Sequence, residues 1–226
     1  MNWQMWKGLV QAWPKKFMEN YIESEPDKMK CNVPTMLTWL RILLIPVFVG
    51  VFYLPTDPQS LGAIPAHWVN LTATAIFAIA AFTDWLDGYL ARRLNQTSAF
   101  GAFLDPVADK LMVAAALIVL VEFERVGAII ALIIIGREIA ISALREWMAG
   151  ERQSSSVGVA MIGKVKTAVQ MLAILFLLYW DSIHLAVVGT VQIKIIGQVL
   201  ISVAAFLTLL SMAYYLKAAM PKIKAK

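Results

Sequence analysis

The sequence predicts an all-α integral membrane protein: six transmembrane helices with an N-terminal amphipathic interfacial helix. Three observations carry that fold class. The 226-residue chain is 60% hydrophobic and 15% charged, with mean hydropathy +0.69. Soluble domains run nearer 45–50% apolar and about 25% charged. Six apolar stretches follow one another: Asn32–Leu54, His67–Leu94, Phe100–Val121, Val126–Met148, Ile162–Trp180 and Lys194–Tyr215. Each is long enough as a helix to cross an apolar layer of about 30 Å. The third observation is an uneven distribution of basic residues between the connecting segments. The same composition excludes a disordered chain. A single cysteine, Cys31, excludes an intrachain disulfide framework and a multi-thiol zinc site. Eight Trp and six Tyr suit a protein with many interfacial positions.

The chain divides into an extension, residues 1–30, and a six-helix domain, residues 31–226. In the extension Trp3, Trp6, Val10, Trp13, Phe17 and Tyr21 recur every three or four residues, with Lys7, Lys15 and Lys16 off that stripe. This pattern predicts a helix lying on a membrane surface, bent or restarted at Pro14. The segment lacks the apolar h-region and small-residue cleavage site of a signal peptide. Glu19–Lys30 reads as a polar linker. Asn32 then caps the first spanning helix, with Pro34 in its first turn, where a missing N–H costs little.

Orientation follows from the cations. Six spans put both termini on one side. Of the 20 Lys and Arg residues, all but Arg125 and Lys194 fall on that side. The positive-inside rule makes it the cytoplasmic face. The net charge of +5 then reads as topology and attraction to anionic membrane lipids, and no soluble domain is left to carry a nucleic-acid interface. His67 and His184 fall on the opposite face as interfacial residues. Ser154-Ser155-Ser156 reads as a linker between the fourth and fifth helices, placed where a lid could lie.

The chemistry concentrates in Asp84-Trp-Leu-Asp87-Gly88-Tyr-Leu-Ala91-Arg92 and Gly101-Ala-Phe-Leu-Asp105-Pro-Val-Ala-Asp109. At about 100° per residue, Asp84, Asp87, Gly88 and Ala91 share a helix face. Gly101, Asp105 and Asp109 share one too if the third helix is continuous. Pro106 offers the alternative that Asp105 starts a helix. The short loop Asn95–Ala99 makes the second and third helices antiparallel neighbours whose acidic faces can meet. Unpaired carboxylates at membrane depth cost about 2.5–3.5 kcal/mol each at a helix centre, and like charges raise one another's pKa. Divalent cations remove both problems, and all-oxygen ligation favours Mg²⁺ or Mn²⁺. Gly88 and Ala91 leave room on the same face, and Arg92 can reach a phosphate oxygen. Together these features describe a site for a nucleoside diphosphate group.

Arg137 and Arg145, eight residues apart on the fourth helix, and Lys164 at the start of the fifth lie toward the same side. Three cations beside four carboxylates suit a small anionic acceptor; the plain alternative is positive-inside anchoring. Glu138 reads as the counter-ion of a neighbouring cation. Arg41 has two readings, contact with donor phosphate or lipid, and snorkelling to the interface.

The spacing D-x2-D-G-x2-A-R-x8-G-x3-D-x3-D is unbroken here. It resembles the signature of the CDP-alcohol phosphotransferases, integral membrane enzymes of phospholipid synthesis. Asn32–Arg41, Phe100–Lys110, Gly136–Met148 and Gly163–Lys166 extend the likeness to bacterial members that use glycerol 3-phosphate, over about residues 31–216. The 30-residue extension departs from the pattern and leaves the motif intact. The resemblance implies two divalent cations, Mg²⁺ or Mn²⁺, on Asp84, Asp87, Asp105 and Asp109, with Asp109 also the general base. It implies CDP-diacylglycerol at Asp84, Gly88, Ala91, Arg92 and Arg41, and the phosphate of glycerol 3-phosphate at Arg137, Arg145 and Lys164. It also implies a homodimer in the bacterial inner membrane, with termini and active site cytoplasmic. Serine, inositol phosphate or phosphatidylglycerol are alternative acceptors that the core motif does not separate. A cation transporter is the alternative from another class. Such a site sits near the midplane between inverted repeats, whereas these acids crowd at one end and no repeat is visible.

Overall fold

The computed structural model describes residues 33–58, 62–94, 99–150, 157–185 and 189–224. Six helices occupy them: α1 Val33–Val51, α2 Ala66–Leu94, α3 Ala99–Glu122, α4 Ala128–Gly150, α5 Val157–Tyr179 and α6 Ile193–Lys224. Each apolar stretch of the sequence becomes one helix. The surface helix expected over residues 1–30, the Asn32 cap, the turn after α2 and the serine linker lie outside the described residues. One element has no sequence signal: Ile183–Leu185 (β1) pairs antiparallel with Gly189–Val191 (β2) between α5 and α6. Proline does not break the helices. Pro46 lies inside α1 and Pro106 inside α3. The continuous α3 therefore puts the backbone positions of Gly101, Asp105 and Asp109 on one face, and Asp105 does not start a helix.

Among the described residues, Ala66–Leu86 and Ile193–Tyr214 are long and apolar enough to cross a membrane, and Met36–Val51 and Val165–Tyr179 are shorter apolar runs. In α3 and α4 the hydropathy is interrupted by Asp105, Asp109 and Lys110, and by Arg137, Glu138 and Arg145. Large apolar side chains such as Leu43, Phe82, Ile118, Ile129, Leu132 and Phe206 are exposed on the outside of the bundle. Water would penalise so much exposed apolar surface; lipid does not.

The interior is mostly apolar. Phe48, Phe77, Leu117, Leu120, Ile134, Ile174, Leu177 and Ile201 are buried in one cluster drawn from all six helices. Phe48 packs edge-on against Phe52 at 5.7 Å and tilted against Phe77 at 6.3 Å. α5 and α6 form the most extensive pair, α1 packs on both α2 and α3, and α2 reaches α5. The short α2–α3 loop leads one to expect these two helices as close neighbours. They touch less than either touches α1, which is wedged between them.

The ends of the bundle are closed differently. α3 ends with the Glu124 N–H on the Val121 carbonyl at 3.0 Å and the Arg125 N–H on the Leu120 carbonyl at 2.8 Å. Glu124 takes φ 56° to make that cap. Arg125 then spans to the end of α5: Nη1 donates to the Leu177 and Leu178 carbonyls at 3.1 and 2.9 Å, and Nη2 to Asn70 Oδ1 of α2 at 2.7 Å. Asn70 Nδ2 passes the link to Asp181 at 3.2 Å. The guanidinium also lies over the Trp180 ring at 5.1 Å and the Phe52 ring at 5.7 Å. Burial lowers the pKa of Arg125, and the Asp181 charge opposes that shift.

Candidate active site

At the other end of the bundle the polar residues gather in two groups. The first forms around α1. Arg41 is 1% exposed, and its Nη1 lies 2.7 Å from Oδ1 of Asp84, near the C-terminal end of α2. The same arginine lines a small cavity with Asp109 of α3, Phe77 and Ala80 of α2, and Met171 of α5. Arg41 thus pairs with the Asp84 carboxylate of α2 and shares a cavity with Asp109 of α3. Burial of the side chain does not fit an arginine snorkelling to the interface. Because Asp84 is partly exposed, solvent screens this pair, and losing it costs less than losing a fully buried ion pair. Asp84 keeps 38% of its side chain exposed, so it remains approachable from outside the bundle.

One residue before Asp84, Thr83 sends its hydroxyl back to the carbonyls of Ile79 and Ala80 at 2.9 and 2.8 Å. That satisfies a buried hydroxyl within its own helix. Beside Asp109, Lys110 Nζ bonds to Ser142 Oγ, which ties α3 to α4.

The second group joins α4, α5 and α6. Arg137 is buried and donates from Nη2 to Ser211 Oγ of α6 at 3.0 Å. Its Nη1 lies 3.6 Å from Glu138 Oε2, an ion pair too long for a hydrogen bond. Glu138 Oε1 accepts from Lys166 Nζ of α5. Lys166 is completely buried, and Glu138 is one-quarter exposed. Glu138 is therefore a counter-ion, as its place in the sequence suggests. Sequence reasoning misses its main partner Lys166, and it misses Ser211. The one signal for either is a polar residue in a mostly apolar helix.

α2 carries the backbone positions of Asp87, Gly88, Ala91 and Arg92, α3 that of Asp105, α4 that of Arg145 and α5 that of Lys164. Their side chains lie outside the described residues. Among the described residues no three His, Cys, Asp or Glu side chains form a metal site. The donor chemistry that is described, carboxylate oxygens of Asp84 and Asp109 entering from two helices, fits a hard divalent cation and not a thiophilic one.

Comparison with known proteins bears on most of the chain. The family profile described as CDP-alcohol phosphatidyltransferase matches residues 31–210. A protein of Shigella flexneri serotype 5b (strain 8401) is 48% identical over 193 residues, 84% of this chain and 96% of that protein. Relatives from Salmonella typhimurium (strain LT2) and Escherichia coli (strain K12) match with the same identity and coverage. All three carry the name CDP-diacylglycerol–glycerol-3-phosphate 3-phosphatidyltransferase. The motif that suggests the resemblance, the all-helical bundle and these matches agree: the chain is an enzyme belonging to the membrane-embedded CDP-alcohol phosphatidyltransferase family.

Proposed function

We propose that the protein transfers the phosphatidyl group of CDP-diacylglycerol to glycerol 3-phosphate, releasing CMP and forming phosphatidylglycerophosphate. The observation that carries this reading is the Arg41–Asp84 ion pair beside a cavity that Asp109 also lines, in a chain 48% identical to relatives named for that reaction. The six helices all span the bacterial inner membrane as a six-helix domain over residues 31–226, with residues 1–30 on its surface. Both termini and the site face the cytoplasm, a reading that the cation distribution supports. The working unit is a homodimer embedded in membrane lipids.

Asp84, Asp87, Asp105 and Asp109 would hold two divalent cations, Mg²⁺ or Mn²⁺. Bound there, the cations neutralise the pyrophosphate and the charge growing on the attacking and leaving oxygens. Gly88 and Ala91 leave space for the cytidine diphosphate, and Arg92 binds its phosphate. Arg41 holds Asp84 on the donor side. Arg137, Arg145 and Lys164 bind the phosphate of glycerol 3-phosphate and turn its free hydroxyl toward the donor. That hydroxyl attacks the phosphorus joined to diacylglycerol and gives its proton to Asp109. A new P–O bond forms, the bond to the CMP oxygen breaks, and CMP leaves with the electron pair. Orientation of two bound substrates supplies much of the remaining rate.

The test is CMP release by the purified protein in detergent–lipid micelles with CDP-diacylglycerol and Mg²⁺ or Mn²⁺. Glycerol 3-phosphate is compared with serine, inositol phosphate and phosphatidylglycerol. Release with glycerol 3-phosphate alone is expected. Release with a different acceptor would overturn the reading of Arg137, Arg145 and Lys164 and leave the aspartates in place. Folded protein that releases no CMP with any acceptor would end the proposal.

A further inference from the structure

The α4–α5–α6 group links Arg137, Ser211, Glu138 and Lys166, and its geometry is directional. A guanidinium presents donors along the edges of a plane, so its usefulness to an anion depends on which edge faces the ligand. Arg137 sits in an apolar bundle where few neighbours can set that plane. Ser211 is one that does. Its hydroxyl hydrogen goes to the Thr208 carbonyl at 2.9 Å, which locks the rotor. Its oxygen is then turned toward Arg137 Nη2 at 3.0 Å. Glu138 attracts the other terminal nitrogen, at 3.6 Å, and is itself held by buried Lys166. Three helices therefore fix one guanidinium. Deeper in the bundle, Gln170 lies four residues beyond Lys166 on α5, and Thr208 lies three residues before Ser211 on α6. Both are buried, and Gln170 Oε1 and Thr208 Oγ1 have no hydrogen-bond partner among the described residues. The polar seam thus has hydrogen-bonding capacity that the described residues do not use.

We infer that Ser211 and Glu138 are positioning residues for the acceptor: they hold the Arg137 guanidinium in the orientation that receives the acceptor's phosphate. This rests on the assignment of Arg137 to that phosphate. Neither residue touches the reacting atoms. Their loss weakens acceptor binding and leaves the chemical step and the donor alone. A merely structural role gives another pattern, a smaller folded fraction that lowers apparent kcat with both KM values unchanged.

The experiment measures KM for glycerol 3-phosphate, KM for CDP-diacylglycerol and kcat on the full chain in detergent–lipid micelles with Mg²⁺. The variants are Ser211→Ala, Ser211→Thr, Glu138→Gln and Arg137→Lys. Ser211→Ala is expected to raise KM for glycerol 3-phosphate about ten-fold, the size of one charge-assisted hydrogen bond. Its kcat and donor KM should stay within about two-fold of the parent. Ser211→Thr keeps the hydroxyl and restores the parent value, and Glu138→Gln moves KM in the same direction as Ser211→Ala. If Arg137→Lys raises the acceptor KM and Ser211→Ala does not, the positioning role is wrong and the acceptor assignment stands. If neither variant moves it, the acceptor assignment falls and takes the inference with it.

Discussion

Arg41 and Arg125 are both drawn into the bundle, one at each end, with partners of different kinds. Arg125 gives its N–H groups to neutral acceptors: two carbonyls in the last turn of α5 and the amide oxygen of Asn70. Those carbonyls have no partner further along the helix, so the arginine completes a helix end. Arg41 instead faces the Asp84 carboxylate, which is still 38% exposed. A neutral, enclosed partner can only hold. A charged, approachable carboxylate can exchange a guanidinium for a metal cation. On the proposed function the two ends of one fold serve different purposes, closure at the Arg125 end and chemistry at the Arg41 end. Substitutions should separate them, with activity lost at one end and stability at the other.

The largest effect belongs to Asp109→Asn. The amide keeps the side chain's shape and removes its basicity, so CMP release should fall by about 10²–10⁴. The melting temperature in detergent should remain within about 2 °C of the parent. Chelation by EDTA should abolish release by the parent protein, and added Mg²⁺ should restore it. Activity surviving in Asp109→Asn would remove the general base from the proposed end and break the comparison there.

Arg125→Gln is the counterpart. It strips hydrogen bonds from Leu177, Leu178 and Asn70 at once and should cost about 3 kcal/mol. A drop in melting temperature of roughly 5–10 °C is expected, with kcat and both KM values of the remaining folded protein unchanged. A change in KM would show that the two ends are coupled, and the division of labour would have to be abandoned.

How far the sequence foretells this division varies with the physics involved. Helix positions are legible, because about twenty apolar residues between polar connections admit little else. The acidic motif is legible because four aspartates in apolar helices demand compensation. The rotational setting of the cations is not. Lys164 and Lys166 are two residues apart, about 200° around a helix, so they cannot both face the same neighbour. In a helix with apolar residues on every side, the sequence does not say which one turns inward. The structure buries Lys166 against Glu138. The wedge of α1 between α2 and α3 is hidden for a similar reason: loop length reports which helices follow one another, and not which third helix intervenes. Arg125 stands out only as a cation on the wrong side of the membrane. Its partners are mostly backbone carbonyls, which leave no mark in a sequence.

A smaller effect tests how tightly the closing end is packed. Gly197, near the start of α6, faces α5 so closely that a Cβ would lie 2.8 Å from Leu177 Cγ and 3.2 Å from its backbone nitrogen. The side-chain atoms can yield, but the backbone of α5 cannot without shifting the carbonyls that Arg125 binds. Gly197→Ala should therefore cost about 1–3 kcal/mol, read as a lower melting temperature with unchanged KM values. Gly136, beside Arg137 on α4, has nothing within 4 Å of the place its Cβ would take, so the same substitution there should leave stability at or slightly above the parent.

The smallest effect concerns the turn that carries Arg125. Glu124 holds φ 56° at the end of α3, a conformation that costs a residue with a Cβ about 1–2 kcal/mol and costs glycine little. Glycine also loses more freedom on folding, so Glu124→Gly should gain no more than about 1 kcal/mol. Its sign is what matters. If the turn serves only to close the bundle, relieving its strain raises the melting temperature and leaves transfer rates as they were. If stability falls instead, the Glu124 side chain contributes more than its backbone costs, and the Arg125 end holds an interaction beyond helix capping. Thermal melts of Glu124→Gly and Arg125→Gln, singly and together, decide between these. Additive shifts fit a cap and a clamp acting independently, while coupling would make the turn and the guanidinium one device.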